Sequence, residues 1–128
     1  MSDLFVTEQK PKWMLLIAGN DSQLRHQQAD ELKRHSQELR DRSIIVVEVS
    51  PTGAVALHGD CRCVASAGDI ADSYKLSFDR FSSSLVDEND CVKWAAPAPV
   101  CFSDLIAVID EMPHHEAENA TRGPALSA

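Results

Sequence analysis

The chain has 128 residues, a formal net charge of −8, 44% hydrophobic and 25% charged residues. That length supports one core of useful depth, and the composition excludes global disorder and the collagen-like and low-complexity classes. The acidic excess is uneven: residues 1–43 carry seven acidic and seven basic side chains, whereas residues 44–128 carry thirteen and five. An acidic surface without a Lys/Arg run repels phosphates, so nucleic acid and anionic membrane are poor partners. The apolar runs at 14–18 and 44–47 are too short to span a bilayer, and no charged segment leading into an apolar one opens the chain. A cytoplasmic protein is expected, with its four cysteines as reduced thiols.

In chain order, residues 1–11 read as an N-terminal arm in which Leu4, Phe5 and Val6 offer a short docking segment, and residues 12–113 read as the domain. Trp13 to Ala18 is continuously apolar and bounded by Gly19, Asn20 and Asp21, the pattern of a strand buried on both faces. Asn20, Asp21 and Ser22 are all good helix N-caps, and the next twenty positions lack Gly and Pro, predicting one helix over 22–41 with Leu24, Ala29, Leu32 and Leu39 inward. Residues 43–49 hold five β-branched side chains and one charge, Glu48, giving a second buried strand. This is a βαβ unit, hence a parallel pair with a right-handed crossover.

The turn at 50–53 predicts a returning edge strand over 54–57, and residues 58–68 read as a Gly/Ala/Ser-rich loop holding Cys61 and Cys63. A short helix is expected near 69–76, then a hairpin from 81–86 and 91–95 around the acidic turn 87–90. Pro97 and Pro99 exclude a helix there, Ser103 is the expected cap of a helix over 104–111, and Pro113 stops it. Residues 114–128 read as a disordered tail. The fold class is therefore α/β, with a four- to five-stranded mixed sheet and helices on both faces. Its expected strand order is second, first, third, fourth, with the third antiparallel to its neighbours and the first the most protected.

The element order is that of the thioredoxin fold. The run FSSSLVDENDCVK at 81–93 resembles the strand, Gly-Lys-Asp-Gly turn and Val-Lys strand of a bacterial thioredoxin-like family of unknown function, and IDEMP at 109–113 resembles its terminal signature. Arg42 and the 43–49 strand also fit. That family, the P-DUDES group, is similar to the repeated domain of secreted vertebrate matrix proteins that carry sushi repeats. The resemblance covers roughly residues 12–118 and implies binding positions at Lys93, Asp110 and Met112. This chain departs from it where Asp87 to Asp90 replaces the Gly-Lys-Asp-Gly turn and where His114 and His115 replace a Met-Arg pair.

Thioredoxin chemistry needs a thiol at the N-terminus of the first helix, where free amides and the helix dipole stabilise a thiolate. Here that place is Asn20, Asp21 and Ser22, which offer a cap or a binding surface but no cysteine. The local thiol pair is Cys61 and Cys63 around Arg62, open to three readings: a redox pair, a soft-metal site with His58, or two small residues in a mobile loop. Cys91 and Cys101 read as packing residues. The expected function is a non-catalytic thioredoxin-like module acting through a protein partner, without cofactor. An atypical thiol redox protein or sensor using Cys61 and Cys63 is the alternative.

Overall fold

Six consecutive apolar residues with no charge among them can be satisfied as a strand only in the middle of a sheet covered on both faces. Trp13–Ala18 occupies that place: its last four residues are fully buried. The computed structural model describes residues 4–7, 11–59 and 61–111. Within them lie β1 (Phe5–Thr7), β2 (Trp13–Ala18), α1 (Ser22–Lys33), α2 (Ser36–Asp41), β3 (Ile44–Ser50), β4 (Gly53–His58), β5 (Cys61–Cys63), α3 (Ala67–Tyr74), β6 (Ser82–Asp87), β7 (Val92–Ala96) and α4 (Phe102–Glu111).

The main sheet is five-stranded and mixed, in the order β4-β3-β2-β6-β7. β2 runs parallel to β3, and the β2–β6, β3–β4 and β6–β7 pairs are antiparallel. The register places Leu15 beside Val46 and Leu85, and Leu16 beside Val47 and Ser84. Because side chains alternate along a strand, these two rows feed two cores. Leu15 and Ile17 meet Leu32, Leu39, Phe102 and Leu105 of α1, α2 and α4. Leu16 and Ala18 meet Ile70 and Tyr74 of α3 on the other face. Each fully buried Leu or Ile contributes about 1.5–3 kcal/mol relative to exposure. The expected strand order and mixed α/β class are those observed, and the arrangement is compatible with a thioredoxin-like fold. Among the described residues no helix is long and apolar enough to cross a membrane.

Three expectations are corrected. The helix expected over 22–41 is two helices, because His35 leaves the helical backbone at φ −121°, ψ 34°. The cause is tertiary: the His35 ring stacks on Phe102 with centroids 4.3 Å apart, and Glu31 accepts a hydrogen bond from the Phe102 amide at 2.9 Å. That same carboxylate supplies the acceptor at the start of α4, which begins at Phe102 rather than after a Ser103 cap. The second correction is the segment read as a loop: Cys61–Cys63 pairs antiparallel with Phe5–Thr7 in a separate two-stranded ribbon. Third, Cys91 and Cys101, read as packing residues, are exposed.

Two polar side chains of α1 are buried where a sequence pattern foresees only apolar ones. The Gln28 amide oxygen accepts from Ser83 Oγ at 2.9 Å and from the Val100 amide at 2.8 Å, while its nitrogen donates to the Val100 carbonyl at 3.0 Å. It ties α1 to β6 and to the segment entering α4. Arg25 donates to Glu48 at 2.9 Å and to the Gly19 carbonyl at 2.8 Å, pinning the β2–α1 turn to β3. Gly19 itself has φ +139° and faces the Phe81 backbone so closely that a Cβ would sit 3.0 Å from its Cα. Replacing Gln28 by Leu leaves the buried Ser83 hydroxyl and the Val100 backbone groups without these partners. A loss of about 2–3 kcal/mol in urea denaturation is expected; a change below about 0.5 kcal/mol would show that the bridge is replaceable by water.

Candidate functional site

The two ends of β2 offer different chemistry. At its C-terminal end the chain turns through Gly19 and Asn20 into α1, and the Asn20 amide donates to the Phe78 carbonyl at 3.0 Å. Asp21 is the N-cap, with extended backbone, and its Oδ1 accepts from the amides of Gln23 at 3.0 Å and Leu24 at 3.2 Å. Asn20, Asp21 and Ser22 are exposed. The amides that a thiolate would need at this place are thus engaged by a carboxylate, and the residues from 19 to 24 contain no cysteine.

Cys61 and Cys63 are half-buried and share one side of β5, packed against the core formed with α3, while Arg62 between them is exposed on the opposite side. Strand geometry therefore separates Arg62 from both thiols. It also spaces alternate Cα atoms about 6.5–7 Å apart with side chains parallel, whereas a disulfide needs Cβ atoms about 3.5–4.5 Å apart. None of the four cysteines is in a disulfide. Burial pushes the Cys63 thiol above its ordinary value. His58, at the end of β4, lines a separate cavity of about 100 Å³ with Leu39 and Val46 on the α2 face, away from the two cysteines. Burial first, and the Arg40 charge second, hold its imidazole below the ordinary value. Among the described residues no group of three or more His, Cys, Asp or Glu side chains is placed to hold a metal ion.

Of the positions implied by the family resemblance, Lys93 lies with its Nζ 3.7 Å from Asp87 Oδ2. Asp110 accepts from Arg42 at 2.8 Å, joining the end of α4 to the segment before β3. These two contacts give both residues a local structural partner. Met112 lies outside the described residues, as does the tail over 114–128.

A cavity of about 630 Å³ opens at the other end of β2. Met14 and Ile45 form its floor on the sheet, Phe5, Thr7 and Cys61 of the ribbon border it, and the acidic turn 87–90 forms its rim. Asp87 is buried and organises this turn, its Oδ1 accepting from the Asn89 amide at 2.9 Å and the Cys91 amide at 3.0 Å. The Tyr74 hydroxyl donates to Asp90, linking α3 to the same rim. The acidic turn is visible in the sequence, but the cavity is not, because its walls come from β1, β2, β3 and β5 and meet only after folding.

The raised Cys63 pKa has a measurable consequence. With the other three cysteines replaced by serine, Cys63 should react with iodoacetamide along a pH profile whose inflection lies above the ordinary thiol value of about 8.5, and more slowly than an equivalent protein retaining only exposed Cys91. An inflection below pH 8 would mean that the thiolate has a stabilising partner.

No curated protein and no solved structure matches the chain. The family model described as a domain of unknown function (DUF4174) matches residues 7–118. That match spans most of the chain and both ends of β2, so the protein belongs to the DUF4174 family.

Proposed function

We propose that the chain is a non-catalytic, thioredoxin-like module of the P-DUDES type, acting in the cytoplasm through contact with a protein partner and without a bound cofactor. The observation that carries this reading is the Asp21 cap. A thiol-exchange protein presents a sulfur to the free amides of the first helix, where the positive end of the helix dipole favours a thiolate. In this chain a carboxylate takes two of those amides, adds negative charge, and supports the helix instead.

Cys61 and Cys63 lend the redox alternative little physical help. Their strand places them apart, Arg62 faces away, and burial disfavours the Cys63 thiolate. Redox work needs the reverse: an exposed, electropositive setting.

In an insulin-reduction assay with NADPH and thioredoxin reductase, the expected rate equals that of the protein-free blank. Turnover retained in a Cys61→Ser/Cys63→Ser double variant would overturn the non-catalytic reading. Turnover lost in that variant would move the function to the β5 thiols. Substituting Asp21 by Ala should lower stability by about 0.5–2 kcal/mol in thermal or urea unfolding and confer no reductase activity.

A further inference from the structure

The cavity beside the β1–β5 ribbon lies at the opposite end of β2 from the capped helix start, where Met14, Ile45 and Phe5 of the α3-side core line it. We propose that it receives a short basic and apolar segment of a partner protein: a bulky apolar side chain between Met14, Ile45 and Phe5, with a neighbouring Lys or Arg on the 87–90 turn. This rests on the protein-contact reading and specifies the partner's chemistry.

Size is the first argument. At about 630 Å³ the cavity lies within the range of about 300–1,000 Å³ in which proteins hold organic ligands. Met14, Ile45 and Phe5 give water little to bond with, so an apolar group that displaces it gains both burial and dispersion contacts.

Charge is the second argument, and it selects the occupant. The described residues lining the cavity include the carboxylates of Asp87, Glu88 and Asp90 and no basic side chain. Asp87 is committed to two amides and faces Lys93, and one Asp90 oxygen is taken by Tyr74. Glu88 is exposed. With Lys93 set against Asp87, two negative charges remain at the mouth, Glu88 and Asp90. A cation is the complementary group. Three other occupants have the wrong sign. Nucleic acid carries phosphates, a second copy of this chain carries a net charge of −8, and residues 112–128 hold Glu116 and Glu118 against Arg122.

The test is selection of a random heptapeptide display library on the immobilised full chain at low salt, followed by titration of the recovered peptide. Recovered sequences should pair Lys or Arg with an adjacent aromatic or large aliphatic residue. The chain has two tryptophans, so a Trp94→Phe protein leaves Trp13, which lines the cavity, as the fluorescence reporter of binding. Affinity should fall about tenfold in Glu88→Lys and decline with added salt, and it should also fall in Thr7→Phe, which fills the cavity from the ribbon. Circular dichroism checks that each variant folds, and Glu88→Lys at its exposed position decides the outcome should Thr7→Phe fail to fold. Absence of enrichment, enrichment of acidic peptides, or binding unchanged in Glu88→Lys overturns the proposal. In the last case the contact lies elsewhere on the surface and the protein-contact module stands, whereas insulin turnover would remove that reading by itself.

Discussion

The structure depends on the register of β2 between a parallel neighbour and an antiparallel one. Because both faces of β2 are buried, the pairing with β3 and β6 must be correct on two counts at once. A slip of one residue would exchange the Leu15 row, which faces α1, α2 and α4, for the Leu16 row, which faces α3. The two rows differ in volume where they cross β6, Leu85 in one and Ser84 in the other, so the exchanged arrangement would leave voids on one side and crowding on the other. The same register sets the polarity of the molecule, with the capped helix start at one end of β2 and the acidic rim at the other.

Polar anchors then fix the helical layer on that sheet. Gln28 and Arg25 sit on successive turns of α1 and reach in different directions, one toward β6 and Val100, the other toward β3 and Gly19. Burying such groups is costly unless they are bonded, and here each has well-placed partners. Apolar packing alone tolerates some sliding of a helix over a sheet. Directional bonds to backbone atoms on either side do not, and they hold the β2–α1 turn in one geometry.

Much of the main sheet is legible from local pattern. The uninterrupted apolar run at Trp13–Ala18, the β-branched run starting at Ile44 and the acidic turn after Asp87 each carry their signal within a few residues. Failures occur where a distant partner decides. Residues 35 and 36 carry no breaker, and the helix divides there because Phe102 stacks on His35. Residues 61–63 are flanked by loop-forming residues, yet they extend because Phe5–Thr7 pairs with them. The absence of a thiol at the α1 start is readable directly, whereas the cavity needs four separated segments to meet. Gln28 and Arg25 look like solvent-facing helix residues by composition, and only the loop and strand packed over them make them interior.

The antiparallel partner of β2 also has a kinetic meaning. The stretch from Trp13 through His58 contains β2, α1, α2, β3 and β4, whose pairings are close in sequence, but Trp13 must wait for Asp87 and Ala18 for Ser82. Until β6 leaves the ribosome, the most apolar strand of the chain has an open hydrogen-bonding edge. Pairings of such wide sequence separation slow folding, and an apolar edge left open in the interval is a site for association with other nascent chains. Placing the most hydrophobic strand early and its second partner late therefore leaves an apolar edge open through an interval of folding that the final stability does not measure.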